Sequence, residues 1–268
     1  MKLENTELKN PIILLLILLF FFTYVKAQDC KPDSTKRLRI TAANIPNDFS
    51  CYMEMTRGWH KYYGSGALIH PRVIITAGHN LAYFPFVKRI PFFLFRGTRK
   101  IDLYFGSIDS NNYKAKRTLK LVKGKNKFFK SGYWINAKTN RDFSIIILPD
   151  SSLFKEVGGC YKFIPVKPEE LHTTALNLTG SPGDKKLFEM WTQSTNNFSI
   201  TDFSLKYDLF TAVRNSGSPV WIQKNGIRLV GVHSRGYKEA ESCNEAVMIN
   251  EDTYKQVALW CKSAGVEL

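Results

Sequence analysis

Three residues of this sequence stand in settings that would let them act on one another. Ser216 lies in Asn215-Ser216-Gly217-Ser218-Pro219, a run of turn formers that would hold a hydroxyl out on a tight bend. His79 follows the apolar run Val73–Thr76, and Asp142 opens another at 143–148. A serine hydroxyl is a weak nucleophile near neutral pH. It is activated when an imidazole takes its proton and a carboxylate on the opposite ring nitrogen fixes the tautomer and stabilises the imidazolium. Singly, each setting is ordinary: a histidine at a strand end, an aspartate at a strand start, a serine in a turn. In the order His, Asp, Ser, with room for a small barrel in each interval, they make a catalytic set. His79 is the expected general base and later acid, Asp142 its orienting partner and Ser216 the nucleophile.

Short strands must position these groups. Apolar or alternating runs broken by turn residues dominate the sequence, which is a β signature. Strands are expected at 51–55, 67–69, 73–76, 92–95, 101–105, 118–122 and 144–148, and again at 176–179, 188–193, 205–207, 220–223, 228–233 and 246–249. Lys224-Asn225-Gly226 between two of these runs reads as a hairpin turn. Only Glu251–Ser263 has helical character, with Val257, Leu259, Trp260 and Cys261 as its apolar side. The order His-Asp-Ser is that of the chymotrypsin-like double barrel, not of subtilisin or the α/β-hydrolases. The expected fold is all-β: two six-stranded antiparallel β-barrels of the trypsin-like type with a C-terminal helix, the site lying in the cleft between them. Residues 51–158 would form the N-terminal barrel and 159–268 the C-terminal barrel and helix, with 28–50 an N-terminal segment that includes room for a short pro-region.

Residues 1–27 read as a signal peptide. The apolar stretch 11–25 is shorter than a comfortable membrane span, and Val25-Lys26-Ala27 has the form of a signal-peptidase site. No other run of eighteen apolar residues occurs in the 268-residue chain, so the mature protein is expected to be secreted, extracellular, free of the membrane and monomeric. The formal charge is +15, and loss of three lysines and two glutamates with residues 1–27 leaves +14. Such a charge attracts polyanions in general. No zinc-finger spacing, RNA-binding signature or long basic helix accompanies the denser basic stretch 114–130, so specific nucleic-acid recognition is not expected. Cys30, Cys51, Cys160, Cys243 and Cys261 are odd in number, which leaves at least one outside any intramolecular disulfide. No Cys-x-x-Cys pair is present, and neither metal nor cofactor is expected.

The match tightens from Asn177 to Asn250. Thr179-Gly180-Ser181-Pro182-Gly183-Asp184-Lys185, Met190-Trp191, Tyr207-Asp208-Leu209, Asn215-Ser216-Gly217-Ser218-Pro219-Val220, Gly231-Val232-His233 and Ala246-Val247-Met248-Ile249-Asn250-Glu251 occur in order. Gly64-Ser65-Gly66-Ala67-Leu68-Ile69 and Thr76-Ala77-Gly78-His79-Asn80 extend the pattern upstream. With these strings the sequence resembles the glutamyl endopeptidases of the staphylococcal V8 protease type. The resemblance implies cleavage of protein or peptide substrates after acidic residues, chiefly glutamate, without a metal. It also places Thr211 and His233, with the backbone near Ser234, around the substrate carboxylate. A hydroxyl and an imidazole suit that task as hydrogen-bond donors, and a protonated ring would add charge.

Two positions depart from the family. Arg214 stands where the resemblance implies a glycine whose backbone N–H joins that of Ser216 in holding the oxyanion, a turn that asks for angles arginine disfavours. Its side chain is expected to reach over the leaving-group side. Phe210 falls at the pocket floor in place of a small polar residue and is expected to narrow it. The leading expectation is a secreted serine endopeptidase. The alternative is a weakly active or inactive protease-fold binding protein, for which Arg214 is the reason.

Overall fold

The computed structural model describes residues 30–42, 44, 46–81, 98–120, 141–236 and 243–268, and the main chain of 128–130. The chain enters through β1 (Leu38–Arg39) and then builds a first antiparallel sheet from β2 (Ser50–Arg57), β3 (His60–His70), β4 (Val73–Thr76), β5 (Lys100–Phe105), β6 (Ala115–Lys120), β7 (Phe128–Lys130) and β8 (Ser144–Ile147). A second sheet follows from β9 (Leu176–Gly180), β10 (Trp191–Thr195), β11 (Phe198–Ile200), β12 (Ser204–Tyr207), β13 (Pro219–Gln223), β14 (Ile227–Arg235) and β15 (Asn244–Met248). Among the described residues the α-helices are α1 (Gly78–Leu81), α2 (Ser152–Val157), α3 (Pro168–Leu171) and α4 (Glu251–Ser263).

The strand orders are β6-β5-β2-β3-β4-β8-β7 and β1-β10-β9-β13-β14-β15-β12-β11. The sheets thus hold seven and eight strands where six each were expected. The additions, β1, β7 and β11, have only two or three residues, and each lies at an outer edge of its sheet. Strands so short carry little periodic signal, which is why the sequence did not betray them. The expected strand at 92–95 and the segment 1–27 lie outside the described residues. β10 begins at Trp191 instead of 188, because Phe188 has φ 71°, off the extended region, while its ring packs on Tyr52 and Tyr104.

Burial follows composition. β4 and β8 are largely apolar runs, buried at every residue, that pair as interior strands of the first sheet. β6 alternates and carries Lys116, Arg117 and Lys120 along a sheet edge, a placement that discourages pairing with other chains. One apolar cluster runs from Ile74, Ile75 and Ile145 to Trp221, Leu229 and Val232 of the second sheet, so the sheets share a core. Each such buried side chain contributes about 1.5–3 kcal/mol. A second cluster, with Leu176, Leu178, Leu205 and Val230, fills the second sheet alone.

In α4, Asn250 caps the first turn by accepting from the Thr253 N–H at 2.9 Å. Thr253, Val257 and Cys261, spaced four apart, are the buried face, while Leu259 is 61% exposed and so stands outside the apolar side expected for it. Its position two residues from Val257 turns it to the opposite side of the helix. The N-terminal segment is fastened to the second sheet and its loops by the disulfide Cys30–Cys243, by β1 against β10, and by the ion pairs Arg37–Asp184 and Arg39–Glu189. Cys51, Cys160 and Cys261 are free thiols.

Candidate active site

Antiparallel pairing of β4 and β8 sets Thr76 opposite Ser144. The residues just past Thr76 and just before Ser144 therefore meet at one end of the sheet, and they are His79 and Asp142. The His79 backbone N–H donates to Asp142 Oδ1 at 2.8 Å, and Nδ1 lies 2.6 Å from Oδ2. One carboxylate thus grips both the main chain and the ring. Asp142 is 2% exposed, and His79 keeps about a third of its side chain in solvent. With Nδ1 as the donor to the carboxylate, Nε2 is left as the basic nitrogen. Gly78 permits this approach, since a Cβ there would come within 2.9 Å of Asp142 Oδ1.

Ser216 sits on a turn of the second sheet that the first sheet holds in place. Its carbonyl accepts from the Ser65 N–H at 2.9 Å and from Asn80 Nδ2 at 2.8 Å. Asn80, the neighbour of His79 on α1, also donates to Thr76 Oγ1 at 2.9 Å. The Ser216 turn is therefore fixed to the same short helix that carries the histidine. Gly217 has φ 88°, donates its N–H to His233 O at 2.7 Å, and has Ser65 O and Thr76 Oγ1 where a Cβ would need to be.

Arg214 adopts φ 77°, the left-handed backbone that the turn requires. For a residue with a Cβ this costs on the order of 1–3 kcal/mol. Ser65 Oγ donates to its carbonyl at 3.1 Å. Among the described residues neither the Arg214 nor the Ser216 N–H has a hydrogen-bond partner. The Arg214 side chain lies against residues 182–185. It turns back, and Nη2 donates to Pro182 O and Lys185 O, each at 2.6 Å. Two aligned carbonyls, dipoles with their negative ends exposed, outcompete solvent for a half-buried guanidinium.

His233 is wholly buried in β14. Burial first, and then the charge of nearby His79, pulls its pKa down to about 3. The ring is therefore neutral at physiological pH, in contrast to the protonated donor considered from sequence. Tyr207 Oη lies 2.7 Å from its Nδ1. Thr211 gives its hydroxyl proton to Asn244 Oδ1 at 2.7 Å, and Asn244 Nδ2 donates to Leu209 O. Ser234 Oγ is 3.5 Å from Glu245 O, at the limit of hydrogen bonding. The backbone of Phe210 is clamped on both sides by the Gln193 amide, and its ring faces the Arg37 guanidinium at 4.4 Å.

Sequence reasoning did not assign roles to Tyr207, Asn244, Asn80, Ser65 or Arg37. Tyr207, Asn80 and Ser65 lie inside the strings that carried the resemblance. Asn244 and Arg37 act across long sequence separations, and no spacing rule points to them.

The fold is that of the trypsin-like serine proteases. A Glu endopeptidase solved in complex with MPD superposes with a TM-score of 0.68 at 22% identity, covering 87% of this chain and 99% of that one. A protease from Arthrobacter nicotinovorans gives 0.58 at 15% identity, covering 79% and 92%. In sequence, the glutamyl endopeptidases of Staphylococcus aureus strains MW2 and NCTC 8325 are 35% identical over 118 residues, 41% of this chain. The chain spans about a third of the length of these relatives, 33% and 32% respectively. No family model matches the sequence.

Proposed function

We propose that this protein is a secreted serine endopeptidase that cleaves protein or peptide substrates after glutamate or aspartate. The observation that carries the reading is the joining of two halves of a site: the His79–Asp142 pair and the Ser216 turn, linked by the Asn80 side chain. In the reaction, His79 Nε2 takes the Ser216 proton as Oγ attacks the scissile carbonyl. The imidazolium is stabilised by Asp142 and returns the proton to the leaving amine. The oxyanion is received by the unpaired N–H groups of Arg214 and Ser216, and water then releases the acyl group by the same steps in reverse.

The acidic preference rests on His233, on Thr211, whose hydroxyl must turn from Asn244 Oδ1 to donate to a substrate carboxylate, on the backbone near Ser234, and on the similarity to glutamyl endopeptidases. A Tyr207 hydroxyl that donates to Nδ1 leaves His233 Nε2–H as a neutral donor to a carboxylate. The positive φ of Arg214, with its N–H unpaired, favours the catalytic reading over a binding protein that has lost its oxyanion donor.

The test is fluorophosphonate labelling of the purified protein and of Ser216→Ala, followed by a P1 peptide library. Labelling confined to the wild type, with cleavage after Glu, is expected. Labelling that survives in Ser216→Ala would sink the nucleophile assignment. Cleavage with no acidic preference would remove the glutamyl reading and leave a protease of other specificity.

A further inference from the structure

The strained Arg214 backbone has two layers of support behind it. The first is its own side chain, whose Nη2 holds the carbonyls of Pro182 and Lys185. The loop that offers those carbonyls is packed under the turn so closely that a Cβ on Gly183 would meet Val213 Cγ2 at 2.2 Å. The second layer comes from the N-terminal segment. Arg37 is buried and makes two parallel hydrogen bonds to Asp184, at 2.8 and 2.7 Å, while its Nε donates to Ser34 O at 3.2 Å. A bidentate guanidinium–carboxylate pair is directional and resists rotation. The disulfide Cys30–Cys243 and β1 hold Arg37 in turn.

Glycine reaches positive φ without steric cost, and arginine does not. What arginine offers instead is a long side chain that can be tied down at a distance. We propose that the Arg214 guanidinium is a positioning element of the oxyanion hole: by gripping the 182–185 loop it keeps its own N–H turned toward the oxyanion. The Arg37–Asp184 pair holds that loop from the other side, so the segment from Cys30 onward belongs to the working enzyme. The proposal rests on the serine-protease reading above and adds to it a residue that acts through another group rather than on substrate.

The experiment compares wild type with Arg214→Ala, Arg214→Gly, Arg214→Lys and Asp184→Asn in the full secreted chain. The readouts are kcat and KM on a Glu peptide, and affinities for a peptide aldehyde and for the acidic product peptide. Alanine keeps the strain and loses the grip, so its kcat should fall on the order of a hundredfold, the loss of one oxyanion donor. Glycine loses the grip but also the strain, and should fall about tenfold less than alanine. Lysine, able to reach one carbonyl, should recover part of the rate. Asp184→Asn, which lies outside the nucleophile turn, should lower kcat roughly three- to tenfold. In each case aldehyde affinity should fall with kcat while KM and product affinity hold, a split that general loosening of the fold would not give.

Arg214→Ala with wild-type kcat, or KM and product binding weakening in step with kcat, would overturn the proposal. Should Arg214→Ala fail to fold, an unchanged kcat in Asp184→Asn would overturn it equally. A wild type that cleaves no peptide would bring down the protease reading and this proposal with it, an outcome distinct from an active wild type whose variants match it.

Discussion

The hydroxyl of Tyr207 on β12 meets Nδ1 of His233 on β14 at 2.7 Å, with both residues buried. The two strands flank β15, so the contact crosses beneath an intervening strand and no local pattern announces it. A neutral imidazole presents one donor and one acceptor, and its partner decides which nitrogen holds which. Removing the phenol oxygen in Tyr207→Phe should free the ring to expose an acceptor toward the pocket. The ratio of kcat/KM for Glu over Gln substrates should then drop about tenfold, the weight of one hydrogen bond. Paired Glu and Gln peptides measure this directly, and an unchanged ratio would remove Tyr207 from the pocket.

The same histidine sets a stability slope. Its folded pKa is about 3, held down by burial, against 6.5 for a free ring. Between pH 3 and 6.5 the unfolded chain binds a proton that the folded chain refuses, so stability falls as pH drops through that window. The slope from this group approaches about 1.4 kcal/mol per pH unit. Above pH 6.5 it contributes no slope. Urea unfolding at pH 4 to 7 of wild type and His233→Gln tests the point: the variant should show the shallower dependence, and equal slopes would contradict it.

Asp142 holds both the N–H and the ring of His79. Asp142→Asn can still place one donor and one acceptor there, but it favours the tautomer with the proton on Nε2, which cannot accept from Ser216. We expect kcat to fall about 10³–10⁴-fold with KM nearly unchanged. Steady-state kinetics on a Glu ester should show this, and a loss below tenfold would mean that Asp142 does not set the tautomer.

Gly217 has φ 88°, and Ser65 O would stand 2.0 Å from an added Cβ. Gly217→Ala must therefore push the Ser216 turn away from β3. Fluorophosphonate labelling should fall sharply while the thermal midpoint moves far less, since the change is confined to one turn. Full-rate labelling of the variant would show that the turn has room the structure does not display.

The disulfide closes a loop of 213 residues between Cys30 and Cys243. Its removal in Cys30→Ser with Cys243→Ser should cost about 2–4 kcal/mol of stability. Denaturant titration with and without a reductant checks this. A wild-type midpoint that ignores the reductant would show that the bond does not stabilise the chain.

Much of the fold was readable because β-structure built from local pairs writes its period into the sequence. Val73–Thr76, the helix Glu251–Ser263 and the turn at Asn225-Gly226 stand where their residues put them, the last with φ 51° and 101°. The short edge strands escaped because two or three residues have no period to read. Leu259 stands off the expected face because the helix's buried line is Thr253, Val257 and Cys261, one of them polar, so apolar type alone does not mark it.

The chemical identities at the site belong to the sequence: which residues carry a hydroxyl, an imidazole or a carboxylate, and in what order. Protonation and direction belong to the tertiary structure. His233 became neutral because packing among β12, β14 and β15 took it out of water, and no residue type encodes a dielectric. The Arg214 side chain turned inward because two carbonyls from a distant loop happen to lie within its reach. Such outcomes depend on distances between segments far apart in the chain. Those distances exist only once the two sheets have packed on their shared core.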